Sequence, residues 1–405
     1  MQMKYKLPFC LPIVAGVIGS WALGAYAESK PVRPNPAIKH VFVITLENKD
    51  FSTTFGVNSA APYLSQTLVA KGVLLKQYFA TGHVSADNYI SMLSGQAETP
   101  QTQSDCQTYA DFKQAGTTPD GQAIGTGCVY PPSVQTLPDQ LTAVGLSWKA
   151  YMEDMGNDPA RESATCGHPV LDAKDLTQMA EAPSASVPAG DQYVTRHNPF
   201  VYFHSIIDSK ACAKNVVSLK TLRTDLQSIS TTANFIFITP NVCSDGHDAP
   251  CVTGKPGGLI SIDAFLHEWV PVILASPAYR KDGLLIINFD ESAPTEASVD
   301  AQNGYRQVVF PGAACCNEQP GPNVTFPSTT KFSTFKYEIS YLGVGGGQTG
   351  AVLLSPFIKP GTISSVPYNH YSMLRSIEDI FGLKYLGYAG QPGLVSFGSD
   401  VYTVR

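Results

Sequence analysis

Residues 40–46 read HVFVITL, a continuous apolar run of strand length, and the polar residues Glu47 and Asn48 follow it directly. A run without polar alternation is typical of a parallel strand that is buried on both faces of a sheet. Similar runs recur at residues 200–203, 234–239, 284–289 and 351–354. The chain therefore offers several candidate strands for one buried sheet.

Helical patterns lie between these runs, near residues 63–71, 219–229, 262–274 and 371–381. Strands that alternate with helices predict an α/β fold with a central, mostly parallel β-sheet flanked by helices. Residues 100–135 and 156–195 are rich in Gly, Pro, Thr and Ser without clear periodicity, so we expect loop-rich insertions at the rim of the sheet. We see no repeat or linker, which predicts a single domain over residues 38–405.

The N-terminal residues have the pattern of a secretory signal peptide. Two lysines precede an apolar stretch from Leu7 to about Leu23, and Ala25-Tyr26-Ala27 supplies small residues for a cleavage site. We predict a signal peptide over residues 1–27, cleaved near Ala27, and a Pro-rich leader over residues 28–37. The alternative is an uncleaved membrane anchor, but the apolar stretch is near the lower limit for spanning a bilayer. With no later segment long and apolar enough to span a membrane, the mature chain is expected to be secreted or periplasmic.

The cysteines agree with export. Cys10 lies in the signal peptide, and the other eight are Cys106, Cys128, Cys166, Cys212, Cys243, Cys251, Cys315 and Cys316. An even number in an exported chain indicates disulfides, and short loops favour Cys106–Cys128 and Cys243–Cys251. The adjacent Cys315 and Cys316 bridge either each other or two different partners. Because no spacing resembles a CxxC zinc site, a structural zinc is not expected.

Composition and charge exclude two classes of protein. The 405 residues are 43% hydrophobic, enough to bury a sizeable core, so wholesale disorder is excluded. The formal net charge is −6, and loss of the two lysines in the signal peptide leaves −8. A chain of that sign lacks the basic surface that nucleic-acid binding requires. We therefore expect no nucleic-acid partner.

Polar side chains follow three of the predicted strands. Glu47 and Asn48 follow the first strand, residues 240–248 (PNVCSDGHD) follow another, and Asp290 and Glu291 follow a third. In an open α/β sheet, ligands bind outside the carboxyl ends of the strands. Carboxylate and amide oxygens at one place suit a hard divalent cation. The alternative is that Glu47 and Asp290 cap the helices that follow them, but an acid repeated after apolar strands favours the metal site.

Ser85 lies where a polar loop opens into a predicted helix. The segment is TGHVSADNYISMLSG (residues 81–95), and its serine falls near the helix N-terminus. Backbone N–H groups and the helix dipole favour a phosphate or an oxyanion at such a place. A serine there is more often an N-cap, and this segment alone favours the capping role.

Six short motifs in chain order bring these segments together. They are Glu47-Asn48-Lys49-Asp50-Phe51; Ser85-x-x-Asn88-Tyr89 with Ser94-Gly95; His197-Asn198-Pro199-Phe200; Pro240-Asn241 with Asp245-Gly246-His247-Asp248; Asp290-Glu291; and His370-Tyr371-Ser372 with Glu378-Asp379-Ile380-Phe381-Gly382-Leu383. Over residues 38–385 the sequence resembles the phosphoesterase family of bacterial acid phosphatases and phospholipases C. It is most similar to small secreted acid phosphatases of the phosphatidylinositol 3-phosphatase type. The resemblance implies an alkaline-phosphatase-like fold.

The resemblance also implies roles for individual residues. It places one divalent metal ion, of unspecified identity, on Glu47, Asn48, Asp290 and Glu291. It makes Ser85 the nucleophile, with His247 and His370 as further catalytic residues. It assigns substrate binding to Asn88, His197 and Asp245. The chain departs from some members in having Asp290-Glu291 where they have two aspartates.

The implied activity is hydrolysis of a phosphate monoester through a phosphoserine, by a secreted, metal-dependent acid phosphatase. The substrate is expected to be a small-molecule or lipid phosphate ester, with phosphoinositides among the candidates. One alternative is a phospholipase C or another phosphodiesterase on the same scaffold. A second alternative is an exported binding protein without catalytic activity, since a fold alone does not establish an activity.

Overall fold

The strand at residues 40–46 lies at the centre of the main sheet in the computed structural model of the chain. The structure describes residues 38–332 and 336–403, without the side chains of residues 296–298. The predicted signal peptide and Pro-rich leader lie outside the described residues.

The described residues contain sixteen strands. In chain order they are β1 (His40–Leu46), β2 (Val73–Leu75), β3 (Tyr78–Phe79), β4 (Lys113–Thr117), β5 (Ala123–Thr126), β6 (Trp148–Met152), β7 (Val216–Ser218), β8 (Phe235–Thr239), β9 (Gly283–Phe289), β10 (Thr295–Val299), β11 (Arg306–Phe310), β12 (Ser328–Phe332), β13 (Tyr337–Tyr341), β14 (Ala351–Leu354), β15 (Thr362–Ser364) and β16 (Tyr368–Asn369).

Ten α-helices occur in the same part of the chain. They are α1 (Phe51–Phe55), α2 (Val69–Lys71), α3 (Ser85–Ser94), α4 (Leu137–Ala143), α5 (His204–Ile207), α6 (Lys210–Asn215), α7 (Leu222–Asp225), α8 (Gly258–Ala275), α9 (Pro277–Asp282) and α10 (His370–Phe381). A π-helix spans Tyr63–Leu68, and 3₁₀ turns span Thr102–Ser104, Thr195–His197, Pro199–Tyr202, Leu219–Thr221 and Gly387–Gly390.

The main sheet has eight strands in the order β15-β2-β14-β9-β1-β8-β6-β7. Only β14 runs against the others, because it pairs antiparallel with both of its neighbours while the remaining pairs are parallel. The predicted α/β fold with a mostly parallel central sheet is therefore confirmed. Since β9, β1 and β8 are adjacent and parallel, the polar residues that follow them meet at one edge.

Both faces of the sheet are covered, as the unbroken apolar run of β1 predicts. Alternate residues of a strand point to opposite faces, so Val41 and Val43 join the core that contains α3 and α10. Phe42 and Ile44 join the core that contains α8. These four side chains are fully buried, and the pairing with both neighbours holds β1 as the central strand.

Two of the predicted elements are different in the structure. Residues 200–203, predicted as a strand, lie mainly in the 3₁₀ turn Pro199–Tyr202; Pro199 has no N–H to donate to a sheet, and its fixed φ suits the start of a helical turn. The helix predicted near 219–229 stops at Asp225, in α7. There the hydroxyls of Thr231 and Thr232 bind the Asp225 carbonyl, which competes with continued helix.

A second sheet of four strands, β10-β11-β13-β12, was not predicted. Its inner residues Val308, Phe310 and Tyr341 form a small core with Val84. Since Val84 directly precedes Ser85, this sheet supports the start of α3.

By length and composition, α8 is long and apolar enough to cross a membrane, with a mean hydropathy of 1.4 over 18 residues; no other helix of the described ranges meets that test. This corrects the expectation that no segment after the signal peptide would do so. Ile262, Phe265 and Leu266 of α8 are nevertheless buried in the core beside the main sheet.

Four disulfides cross-link the described chain: Cys106–Cys128, Cys166–Cys212, Cys243–Cys251 and Cys315–Cys316. The two predicted pairs are both present, and the adjacent cysteines bridge each other. Cys106–Cys128 lies within the first predicted insertion, and Cys166 of a second disulfide lies in the other. Residues 100–135 contain the β4–β5 hairpin and otherwise irregular chain, and residues 156–194 contain no helix or strand.

Candidate active site

The ends of β1 and β9 are joined by backbone and carboxylate groups. Asn48 has φ of +54°, in the left-handed region that Asn tolerates better than most residues. Its N–H donates to Asp290 Oδ1 at 2.9 Å, and the N–H of Glu291 donates to the same oxygen at 2.6 Å. Asp50, rather than Glu47, occupies the N-cap position of α1. The capping alternative therefore does not describe these acids, and all four predicted metal ligands lie at one place.

Ser85 directs its hydroxyl away from its own helix. Val84 holds the N-cap position of α3, so the capping role considered for Ser85 is wrong. Ser85 Oγ lies 3.1 Å from Glu47 Oε2 and 3.1 Å from His197 Nε2. One hydroxyl proton thus faces two acceptors, and the side chain is almost fully buried.

His197 and Asp245 form a buried pair beneath Ser85. His197 Nδ1 lies 3.0 Å from Asp245 Oδ2, and the imidazole stacks on Tyr89 with 5.2 Å between ring centroids. Burial lowers the pKa of His197 well below its ordinary value, and the nearby Arg196 adds to this. A neutral imidazole that donates Nδ1–H to Asp245 presents Nε2 as an acceptor to the Ser85 hydroxyl.

The site has the chemistry of a cation site. Glu47, His197 and Asp245 have ligand atoms within 4.8 Å of one another. Glu47 Oε1 and Asp290 Oδ2 are buried and accept no hydrogen bond among the described residues, although His197 Nε2 lies 3.3 Å from Glu47 Oε1. Burial and then the neighbouring carboxylates raise the pKa of Glu47, while burial raises the pKa of Asp290 to about 6. Buried, mutually repelling carboxylates with unpartnered oxygens fit a bound divalent cation.

Asn88, predicted to bind substrate, contacts the turn before Ser85. Its Oδ1 accepts the N–H groups of Thr81 and Gly82, and its Nδ2 donates to the Val84 carbonyl at 3.0 Å. Nδ2 also lies 3.5 Å from Glu291 Oε2. These contacts support the loop that leads into Ser85, and the predicted substrate-binding role of Asn88 stays a prediction. His197 and Asp245, predicted for the same role, likewise bind neighbouring protein groups.

His370 is engaged at both ring nitrogens. Nε2 donates to the Asp290 carbonyl at 2.7 Å, so Nδ1 accepts from the Tyr78 hydroxyl at 3.0 Å. Burial lowers the pKa of His370 to about 4. Both contacts are with protein groups next to the predicted metal ligands, and the catalytic role of His370 that the resemblance implies stays a prediction.

His247 lies in a different environment from His370. Its Nδ1 lies 2.8 Å from Asp248 Oδ1, and its side chain is about one-third exposed. Its Nε2 accepts from an Nη of Arg196 at 3.3 Å. Of the two histidines predicted to be catalytic, His247 is the one that reaches the cavity described next.

A cavity of about 520 Å³ opens beside Ser85. Its polar wall includes Asn48, Lys49, Arg196, His247 and Glu291, and its apolar wall includes Val308, Phe310 and Ile339 of the second sheet. The cavity thus combines a serine hydroxyl, basic groups and an apolar surface.

Sequence reasoning missed two basic residues of this site. Lys49 Nζ donates to the carbonyls of Glu47, Asn48 and Gly246, which ties the end of β1 to the loop after β8. Arg196 directly precedes the His197 motif. Each lies inside or next to a quoted motif, and that adjacency was the available signal.

Comparison with known proteins identifies a family and several relatives of this chain. The model of the Phosphoesterase family matches residues 58–384. A phosphate-repressible acid phosphatase of Penicillium chrysogenum is 26% identical over 368 residues, which are 90% of this chain and 65% of that protein. A phosphatidylinositol-3-phosphatase of Mycobacterium tuberculosis is 20% identical over 93% of this chain and 88% of that protein.

A solved structure of an alkaline phosphatase superfamily protein from Vibrio parahaemolyticus aligns with this chain at a TM-score of 0.47 and 11% sequence identity. The alignment covers 91% of this chain and 74% of the chain of that structure. The chain spans less than two thirds of the length of the Penicillium relative. The family match extends over most of the present chain, from before α3 to the end of α10. The chain belongs to the phosphoesterase family.

Proposed function

We propose that this chain is a secreted, metal-dependent acid phosphatase that hydrolyses phosphate monoesters through a phosphoserine. The observation that carries the proposal is the Ser85 hydroxyl, which lies at the start of α3 and at the cavity wall, with its proton facing Glu47 and His197. Membership of the phosphoesterase family and the similarity to acid phosphatases support it.

The residues of the site account for both bond changes. Ser85 Oγ attacks phosphorus and forms the new P–O bond, while its proton passes to His197 Nε2. Asp245 holds Nδ1–H and so stabilises the imidazolium that results. The P–O bond to the leaving group breaks, and His247 supplies a proton to the departing oxygen. Water then attacks the phosphoserine and gives a proton to His247, while the P–O bond to Ser85 breaks and its oxygen takes back the proton held by His197.

We assign the predicted cation to Glu47, Asn48, Asp290 and Glu291. When bound, it supplies positive charge next to the transferring phosphoryl group and lowers the pKa of the Ser85 hydroxyl. The unpartnered oxygens of Glu47 and Asp290 support this assignment. The group formed by Glu47, His197 and Asp245 is the competing arrangement, and metal content of the Asp290 and His197 variants separates the two.

Export and a lipid substrate are part of the proposal. Four disulfides are typical of proteins from oxidising compartments, which agrees with cleavage of the signal peptide near Ala27. The apolar wall of Val308, Phe310 and Ile339 suits a substrate with an apolar part. Together with the mycobacterial relative, it supports phosphoinositides as candidate substrates.

The test is a substrate panel after chelation and add-back of single metals, with p-nitrophenyl phosphate, bis-p-nitrophenyl phosphate, phosphatidylcholine and phosphoinositides. Ser85→Ala should lose at least about a thousandfold in rate, because removal of a covalent nucleophile leaves only residual catalysis. Ser94→Ala, which removes a buried hydroxyl from the same helix, is the matched control. Acid-quenched enzyme should carry one phosphoryl group on the peptide that contains Ser85.

Three outcomes would reject the proposal. Retention of more than about a tenth of the activity in Ser85→Ala would exclude the covalent mechanism. Diester cleavage far above monoester cleavage would favour a phosphodiesterase or phospholipase C. No hydrolysis of any ester with any metal would leave an exported binding protein.

A further inference from the structure

Arg196 is a buried cation that is hydrogen-bonded to one carbonyl oxygen and one imidazole nitrogen. It is 5% exposed, and one Nη donates to the Gln178 carbonyl at 3.0 Å. The other Nη donates to His247 Nε2 at 3.3 Å, and the carboxylate of Asp105 lies 3.8 Å from Nε. A guanidinium has five N–H donors arranged to bind pairs of anionic oxygens, and a neutral imidazole nitrogen is a poor substitute for such an oxygen.

Arg161 shows what a buried structural arginine looks like in the same chain. Its two Nη groups donate to the carbonyls of Asp191, Met179 and Tyr193, and the carboxylates of Glu181 and Asp191 lie at 3.9 and 4.0 Å. Acceptors thus surround the two Nη groups of Arg161, while its Nε has no hydrogen-bond partner among the described residues. Arg196 instead lines the cavity next to Ser85.

Asp105 fixes the position of Arg196 relative to the nucleophile. One oxygen of Asp105 accepts the N–H of Ala86, the residue after Ser85, at 3.0 Å, and the other faces Arg196. Asp105 and Cys106 both have positive φ, of 51° and 49°, and the Cys106–Cys128 disulfide anchors this turn. A single carboxylate therefore connects the start of α3 to the guanidinium.

Arg196 and His197 are neighbours in one 3₁₀ turn, Thr195–His197. His197 contacts Ser85 from the interior, while Arg196 faces the cavity. The acids of the site come from strand ends, so Arg196 approaches the cavity from a different element than the predicted metal ligands. A phosphoryl group on Ser85 would therefore have an oxygen that faces Arg196 rather than the carboxylates of the site.

We propose that Arg196 binds the phosphoryl group of the substrate, exchanging His247 Nε2 for phosphoryl oxygens, and that this contact selects monoesters over diesters. The assignment rests on the phosphatase activity proposed above. A guanidinium binds an oxyanion through two parallel N–H donors, a fit that one imidazole nitrogen cannot offer, so an oxyanion displaces the imidazole. A monoester presents three unsubstituted oxygens, whereas a diester has a substituted oxygen of low charge in one of these positions. Asp105 acts as a positioning residue.

The experiment compares Arg196→Gln and Arg196→Lys with wild type, and Arg223→Gln, a half-exposed arginine paired with Glu268, is the control. Arg196→Gln should lower kcat/KM for p-nitrophenyl phosphate by about 10²- to 10³-fold, the effect of losing one transition-state donor. The loss on bis-p-nitrophenyl phosphate should be less than about tenfold, because that ester lacks the third oxygen. Arg196→Lys keeps the charge and the aliphatic stem but not the forked guanidinium. Its kcat/KM for p-nitrophenyl phosphate should therefore lie between those of wild type and Arg196→Gln.

Binding of inorganic phosphate to Ser85→Ala, measured by calorimetry with and without Arg196→Gln, tests the contact without any turnover. We expect at least about a tenfold weaker affinity when Arg196 is lost. If Arg196→Gln fails to fold, Arg196→Lys replaces it in the test. The ratio of kcat/KM on the monoester to kcat/KM on the diester should then be lower in Arg196→Lys than in wild type. Equal losses on both esters with unchanged phosphate affinity would give Arg196 a structural role and overturn the inference. An inactive wild-type enzyme that binds phosphate through Arg196 would instead overturn only the proposed function.

Discussion

Replacing Glu378 by Gln should flatten the dependence of stability on pH. Glu378 lies in α10, in a motif shared with the family, and its side chain is fully buried. Oε1 accepts the Leu386 N–H at 2.9 Å, and Oε2 has no hydrogen-bond partner among the described residues. Burial raises the pKa of Glu378 from an ordinary 4.5 to about 9. The folded protein therefore holds this proton at pH values where the unfolded chain has released it.

The sign and size follow from proton linkage. Between about pH 4.5 and about pH 9 the folded state binds one more proton than the unfolded state, so the free energy of unfolding falls as pH rises. One proton changes it by about 1.4 kcal/mol per pH unit, or about 2.7 kcal/mol between pH 5.5 and 7.5. Burial also raises the pKa values of Glu98 and Glu153 to about 7. Their ionisation therefore lowers the free energy of unfolding as well, in the acidic part of the same pH range. The protein should be most stable in mild acid.

Glu378→Gln keeps an oxygen for the Leu386 N–H and cannot ionise. Urea unfolding followed by circular dichroism at several pH values, in constant chelator, should give a slope shallower by about 1.4 kcal/mol per pH unit than in wild type. Glu268→Gln, at an exposed position on α8, should leave the slope unchanged. Parallel pH profiles for Glu378→Gln and wild type would show that this carboxyl ionises normally in the folded state, and the burial argument would fail.

Two further predictions concern the active site. Asp290→Asn should lower both the bound metal, measured by elemental analysis, and the rate of turnover. Asp120→Asn, at an exposed position, is the control. Full metal content with unaltered kinetics in Asp290→Asn would exclude Asp290 as a ligand. His247→Asn should reduce the rate on alkyl phosphates at least about tenfold more than on p-nitrophenyl phosphate, since p-nitrophenolate leaves without a proton; equal losses would mean that His247 binds phosphate or metal instead.

The central part of the fold could be predicted because its strands are buried on both faces. β1, β8, β9 and β14 are fully buried, and each reads as an unbroken apolar run. The second sheet escaped prediction because its strands are only partly buried. β12 reads STTKF and alternates between half-exposed and exposed residues before its last, buried residue, a pattern that resembles a polar loop.

The acidic half of the site could be predicted for a related reason. Glu47, Asp290 and the loop containing Asp245 directly follow central strands, so the sheet brings them to one edge. The contacts of single side chains could not be predicted in this way. Whether His370 faces substrate or the Asp290 carbonyl depends on the packing of α10 against that edge, and the motif around it is the same in either case.

The basic half of the site depends on loops that disulfides close. Asp105, which faces Arg196, adjoins the Cys106–Cys128 bond, and His247 lies in the loop closed by Cys243–Cys251. A regular sheet edge fixes its side chains by its own hydrogen bonds, whereas a loop must lose its conformational freedom by other means. Cross-links on both loops supply that restriction, since each removes chain entropy that the free loop would retain. The disulfides thus stabilise the basic groups opposite the acids, and the site needs both.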